Sequence, residues 1–149
     1  MAEQPVRKAQ PGFRWEAVDL LAYKAEGEAP FKDVTRQRLF ASAALGCELR
    51  YFEVAAGGHS TLERHAHEHA VMVLRGRGGC LVGERVTEVG PHDLVHIPAW
   101  HWHQFRATAG ESLGFLCMVN AERDRPQLPS AAEWAALRAD PRIADFIRG

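Results

Sequence analysis

Short apolar runs separated by glycine- and proline-containing turns dominate the middle of the chain. One run covers residues 48–54 and ends before the pair Gly57-Gly58. Most of the later runs also end at Gly or Pro, and they cover residues 71–74, 80–82, 85–89, 94–97 and 113–119. Strand-length segments that recur about every 8–12 residues between such turns are typical of β-sandwiches and barrels. The pattern therefore predicts an all-β barrel over residues 46–120.

The segment before the barrel has a different pattern. Residues 1–45 hold one apolar stretch at 15–23 among several Pro and Gly residues, which predicts an arm packed on the barrel. Residues 35–40 of this arm could add a strand to an open sheet edge, and exposed edges are usually covered. We therefore expect the arm to contribute to a homodimer.

Residues 121–149 predict a tail with two short helices. Ser130 followed three residues later by Glu133 is a capping-box pattern. Asp140-Pro141 marks a second helix start, because proline is favoured at the first helical position. The apolar residues expected to dock this tail on the barrel are Trp134, Leu137, Ile143, Phe146 and Ile147.

Composition narrows the class of protein. The chain has 149 residues, of which 46% are hydrophobic and 25% are charged, as expected for one globular domain. A net charge of −1 gives no electrostatic reason to expect a nucleic acid or an anionic membrane as partner. The N-terminal residues lack an apolar signal core, and the three cysteines are an odd number without close spacing, which favours reduced thiols. We therefore expect a cytoplasmic protein that acts on a small molecule, without a nucleic-acid or membrane partner.

Histidines mark the candidate site, because all eight lie between His59 and His103. His65, His67 and His69 alternate with other residues and would share one face of a strand. Three imidazoles on one face are costly to bury unless a metal ion organises their nitrogens. A straight strand would separate the first and the third by about 13 Å, so all three can bind one ion only if the strand bends.

Residues 90–105 carry a resemblance to a known family. Their sequence, a turn followed by a strand ending in Ile97-Pro98 and a loop before His103, resembles the second motif of the cupin superfamily. His65, His67 and Gly76 resemble its first motif, with His69 at the position where most members have a carboxylate. The resemblance implies a single jelly-roll (double-stranded β-helix) barrel, a homodimer and one divalent transition metal ion per chain. The metal ligands that it implies are His65, His67, His69 and His103.

The spacing of the first motif leaves the identity of the fourth metal ligand undecided. Only one residue separates His67 from His69, where three or four are usual, so Glu63 or Glu68 could take the place of His69. The resemblance favours Mn or Fe, and imidazole ligands are also compatible with Zn, Ni, Co and Cu. The remaining histidines are interpreted as turn, core or rim residues, and they are His59, His92, His96 and His101.

Cys117 is the candidate catalytic residue. The strand at 113–119 resembles the Phe-Leu-Cys strand of small four-histidine manganese cupins, in which the Cys projects toward the metal. The predicted substrate-binding residues are Tyr51, Arg50 and Phe105. Residues 63–69 and 116–126 are similar to methylthioxylulose-phosphate methylsulfurylases, which implies thiol-dependent removal of a methylthio group from a sugar phosphate. Two other classes stay open, a metal-dependent dioxygenase and a non-catalytic protein that binds a metal or a small molecule.

Overall fold

The computed structural model describes residues 5–23 and 32–149 of the chain. Within these residues the strands are β1 (Ala9–Gln10), β2 (Arg14–Trp15), β3 (Leu21–Ala22), β4 (Lys32–Ser42), β5 (Cys47–His59), β6 (His69–Arg75), β7 (Gly78–Val82), β8 (Arg85–Val89), β9 (Leu94–Ile97), β10 (His103–Ala107) and β11 (Leu113–Asn120). Two helices follow, α1 (Ala131–Arg138) and α2 (Pro141–Phe146).

The strands form an antiparallel barrel in which β5 is the longest and most connected element. Neighbouring strands follow the order β8-β7-β10-β5-β11-β6-β9, with β4 added on β5 and β3 on β4. β5 pairs with β4 and β11 over most of its 13 residues and with β10 at its far end, where Arg106 faces His59. β5 thus pairs with other strands along both of its edges, and the all-β jelly-roll prediction is confirmed.

Strand β5 also divides the interior of the barrel from its outer face. Phe52 and Val54 lie in the main core with Phe115 and Cys117, so the even-numbered residues of the strand point inward. Tyr51 lies in a separate outer cluster with Val18 and Leu39. Residues 13 and 15 pack against this outer cluster, so this part of the chain lies on the outer face of the barrel.

Strand β4 shows that the sheet begins earlier in the chain than residue 46. The segment at 35–40 was expected to cover an open edge, and it does so on β5 of its own chain. Gly57-Gly58 was expected to end a strand, but β5 continues through this pair to His59. The homodimer stays a prediction.

The C-terminal tail has the predicted helices and caps. The backbone N–H of Glu133 donates to Ser130 Oγ (3.2 Å), and the backbone N–H of Ser130 donates to Glu133 Oε1 (3.0 Å). Asp140 caps α2, with Pro141 as its first residue. The expected docking residues pack in one cluster on the barrel residues Leu62 and Leu81. Neither of the two helices in the described ranges is long and apolar enough to cross a membrane.

Candidate metal centre

The segment that carries three histidines is a bend rather than the predicted strand. β6 begins at His69, and the chain turns between His65 and Glu68. The carboxylate of Asp124 explains the bend, because it accepts hydrogen bonds from the backbone N–H groups of Ala66 (2.8 Å) and His67 (3.0 Å). These N–H groups are therefore not available to a sheet neighbour, and the extended conformation expected from the alternating pattern is replaced.

Three histidines meet at this bend, and we call them the histidine centre: His65, His69 and His103. One ring nitrogen from each lies within 4.8 Å of those of the other two. Nε2 of His65 and Nε2 of His69 are 3.0 Å apart, instead of the wide separation that a straight strand would impose. The bend, the start of β6 and the start of β10 each supply one ring.

Hydrogen bonds prepare two of these rings as ligands. Nδ1 of His65 donates to the backbone oxygen of His67 (2.7 Å), and Nδ1 of His103 donates to that of His101 (2.9 Å). A carbonyl oxygen only accepts, so the proton sits on Nδ1 and the lone pair remains on Nε2. This is the usual way in which a neighbouring group fixes the tautomer of a metal-binding histidine.

The donor set fits a divalent ion. Two nitrogens that each bind an ion at about 2.1 Å and a right angle lie about 3.0 Å apart, which matches the two Nε2 atoms of the bend. Burial, together with the neighbouring imidazoles, lowers the pKa of His69 to about 2 and that of His103 to about 3. The rings are therefore neutral near pH 7, as ligation requires.

His67 lies beside the histidine centre. Its ring stacks on that of His65 with centroids 3.6 Å apart and an angle of 3° between the planes. Its Nδ1 is 2.8 Å from Oδ1 of Asp124, which leaves Nε2 as the nitrogen available to an ion. The structure thus gathers His65, His69 and His103 and holds His67 against the first of them. The four-ligand set stays a prediction.

A small cavity of about 50 Å³ extends from His69 and His103 into the barrel. Its walls are mostly apolar, with Phe52, Phe105 and Phe115 among them. Such a chamber admits only the end of a substrate and would favour an apolar group there.

Cys117 lines this cavity. Its Sγ lies 3.0 Å from Nδ1 of His69 and 3.7 Å from Nη2 of Arg50. Burial raises the pKa of the thiol, and the positive charge of Arg50 opposes this effect. The thiol therefore contacts Nδ1 of His69, while Nε2 of the same ring belongs to the histidine centre.

The three predicted substrate-binding residues divide between two faces of the sheet. Arg50 and Phe105 line the cavity. Tyr51 points the opposite way, because successive strand residues alternate, and its hydroxyl donates to Glu53 Oε2 at 3.0 Å. The structure thus places Tyr51 away from the cavity, and substrate binding by Arg50 and Phe105 stays a prediction.

The two carboxylates considered as alternative ligands lie in different parts of the structure. Glu63 is buried and lines the cavity. Glu68 lies on the surface, 2.5 Å from Nε2 of His96. His96 was expected in the core or a pocket, but it is exposed because it lies on the outward face of the edge strand β9.

The other histidines lie outside the cavity. His92 occupies a turn with φ of 73°, a backbone conformation that favours Gly, and His101 is exposed as expected for a rim residue. His59 ends β5 rather than lying in a turn.

Sequence reasoning missed Asp124, the residue that holds the bend. It lies 58 positions from Ala66 and is flanked by two arginines, so no local pattern connects it with the histidines. Arg64 was also not expected to reach the tail, where its guanidinium donates to Glu133 Oε2 at 2.8 Å.

An antiparallel jelly-roll barrel with clustered histidines near one end of its cavity defines a cupin. In agreement, the sequence model of the cupin domain matches residues 50–119. A protein named 1-methylthio-D-xylulose 5-phosphate methylsulfurylase, from Rhodospirillum rubrum, is 63% identical over 147 residues, which cover 99% of this chain and 94% of that protein. The chain belongs to the cupin family.

Solved structures agree with this assignment. A cupin 2 conserved barrel domain protein from Rhodopseudomonas palustris superposes with a TM-score of 0.92 at 60% identity, covering 97% of this chain and 99% of that one. A cupin 2 domain protein from Halorhodospira halophila gives a TM-score of 0.74 at 41% identity, covering 97% and 94%. The similarity therefore extends beyond the barrel to the arm and the tail.

Proposed function

We propose that the protein is a metal-dependent enzyme that removes the methylthio group from 1-methylthio-D-xylulose 5-phosphate and passes it to a thiol. The observation that carries the proposal is the 63% identity, over nearly the whole of both chains, to a protein named for this substrate. A cavity that joins imidazoles, a thiol and apolar walls supports it.

The proposed substrate is activated by its own carbonyl group. The methylthio sulfur is attached to C1, next to the C2 ketone, so electrons left on C1 are delocalised onto the ketone oxygen. The C1–S bond breaks, C1 takes a proton, and the methylthio sulfur forms an S–S bond with a thiol. The thiol is oxidised to a mixed disulfide while C1 is reduced, and no other oxidant or reductant is needed.

Cys117 is the proposed attacking thiol. Among the described residues it is the cysteine that lines the cavity, and neither Cys80 nor Cys47 contributes to its walls. Its Sγ would attack the methylthio sulfur and form a methyl disulfide on Cys117. A small external thiol would then take the methylthio group and restore the free cysteine.

The other cavity groups bind and orient the substrate. Phe105 and Phe115, whose ring centroids are 4.4 Å apart, form an apolar wall that suits a methylthio group. Arg50 is buried, and its Nε has no hydrogen-bond partner, so its charge can hold an anionic oxygen of the substrate. A divalent ion on His65, His69 and His103, manganese in our proposal, would supply a Lewis acid for the ketone oxygen.

The test is turnover of the synthetic substrate by the manganese-loaded protein under anaerobic conditions, with glutathione as the thiol. We expect one equivalent each of the 1-deoxy ketose phosphate and the methyl–glutathione disulfide, measured by mass spectrometry. D-Xylulose 5-phosphate, which lacks the methylthio group, should remain unchanged. Absence of turnover with thiol, or consumption of O₂ with the substrate, would overturn the proposal and favour a dioxygenase.

A further inference from the structure

Asp124 holds the histidine-bearing segment from outside the barrel. It follows the last strand of the barrel, and its carboxylate receives three hydrogen bonds from two consecutive residues. The donors are the backbone N–H groups of Ala66 (2.8 Å) and His67 (3.0 Å) and the Nδ1 of His67 (2.8 Å).

From this geometry we infer that Asp124 is a positioning residue for the metal centre, acting in two ways. Its first effect is on the backbone. If residues 65–69 were a straight strand, the Cα atoms of His65 and His69 would be about 13 Å apart and could not serve one ion. By accepting both N–H groups, Asp124 closes the bend in which the Nε2 atoms of these residues lie 3.0 Å apart.

Its second effect is on the His67 ring. An ionised carboxylate can only accept, so Nδ1 of His67 carries the proton and Nε2 carries the lone pair. The same bond fixes the ring plane, and the parallel contact with His65 at 3.6 Å holds it from the other side. Carboxylates that orient a metal-binding histidine in this way typically change metal affinity by about 10–100-fold.

Neighbouring contacts keep Asp124 in place. Arg64, which precedes the bend, and Gln127, which follows Asp124 in the tail, exchange two backbone hydrogen bonds of 3.1 Å and 2.8 Å. Arg123 binds the carboxylate of Glu48 on β5. The tail is thus anchored before and after Asp124, and the carboxylate meets the bend from a fixed position.

Metal affinity separates this role from general stability. Metal-stripped protein is titrated with Co²⁺ against a chromophoric chelator, and its visible spectrum, far-UV circular dichroism and melting temperature are recorded. We expect Asp124→Ala to bind Co²⁺ about 10–100-fold more weakly, with an altered spectrum and unchanged secondary structure. Glu122→Gln, an exposed carboxylate two residues away, should bind within twofold of the wild type. Wild-type affinity and spectrum in Asp124→Ala would overturn the inference.

A double substitution tests the part that acts through His67. Asp124→Asn keeps one of the two acceptor oxygens and loses the carboxylate charge, so it can accept from His67 or from the Ala66 N–H but not from both. We therefore expect a smaller loss of affinity than in Asp124→Ala. The fold loss of Co²⁺ affinity caused by Asp124→Asn should be at least twofold smaller in His67→Ala protein than in the wild type. An equal fold loss in both backgrounds would overturn the role of Asp124 at the His67 ring. If Asp124→Ala does not fold, the affinity of Asp124→Asn tests the inference in its place. The experiment uses metal alone, so it is independent of the proposed substrate.

Discussion

The Sγ of Cys117 lies 3.0 Å from Nδ1 of His69, whose Nε2 is 3.0 Å from Nε2 of His65. A single imidazole ring therefore joins the thiol to the histidine centre. Any chemistry at this sulfur would take place next to the histidine centre, and a shift of the His69 ring would change both contacts. The first two predictions concern the two ends of this connection.

Cys117→Ser should lower turnover of the methylthio sugar phosphate at least 100-fold, because a serine hydroxyl cannot form the S–S bond. The two side chains are similar in size, and the hydroxyl can bond to His69, so the free energy of unfolding should fall by about 1 kcal/mol or less. Activity assays and urea unfolding measure the two effects. Cys80→Ser is the matched control.

Cys80 is equally buried but is surrounded by apolar residues, and burial raises the pKa of its thiol to about 11. A hydroxyl placed there should cost about 1–3 kcal/mol of stability while turnover at 25 °C persists. If Cys117→Ser kept wild-type turnover, Cys117 would be a packing residue and the sulfur chemistry would lie elsewhere.

His69→Ala should lose the metal most completely. The ring supplies an Nε2 atom to the histidine centre, and its Nδ1 contacts Cys117, so its removal opens the centre on the cavity side. Metal content by elemental analysis should fall from about one ion per chain to below a tenth. His101→Ala removes an exposed ring but keeps the backbone oxygen that orients His103, and it should retain the metal.

Acid should destabilise the metal-free protein. The pKa of His103 is about 3 in the folded chain because of burial, against 6.5 in the unfolded chain, so the unfolded state binds more protons between these values. The contribution of His103 to the free energy of unfolding is therefore fully present above pH 6.5. It declines by about 1.4 kcal/mol per pH unit as the pH falls below this value. Urea unfolding between pH 7.5 and about 5 measures the slope.

His103→Gln should reduce that slope by the contribution of about one proton, since Gln does not titrate. A stability that does not depend on pH across this range would contradict the burial effect.

Neighbouring residues on β5 should give opposite phenotypes. Arg50→Met removes the buried charge of the cavity and should raise KM for the sugar phosphate at least tenfold. Tyr51→Phe removes the hydrogen bond to Glu53 on the outer face, and should lower the unfolding free energy by about 1 kcal/mol with KM unchanged. A higher KM in Tyr51→Phe would mean that the hydroxyl acts on the cavity from behind the strand.

The sequence predicted those features that depend on local patterns. Glycine and proline positions located most strands, and Ser130 and Asp140 identified the helix starts, because caps use residues within one turn. The metal centre was predicted only as a set of histidines. Its bend depends on Asp124, which is distant in the sequence, so the alternating pattern at 65–69 predicted a strand.

The prediction that Tyr51 faces the cavity was wrong for a different reason. Both faces of β5 are apolar, since the inner face packs in the barrel and the outer face is covered by the N-terminal arm. Alternation then gives no signal for which residues point inward. Only pairing with β11, where Cys117 faces Arg50, establishes that Arg50 and not Tyr51 lies on the cavity side.

The groups that hold the bend from the C-terminal side lie beyond the segment matched as the cupin domain. Residues 50–119 include every histidine of the chain, yet the partners of the bend at Asp124, Gln127 and Glu133 all follow that segment. A cupin barrel transplanted without its tail would inherit the ligands but not their arrangement. The arrangement of the histidine centre thus depends on the barrel and the tail together, and we expect a change confined to the tail to alter it while the barrel sequence stays the same.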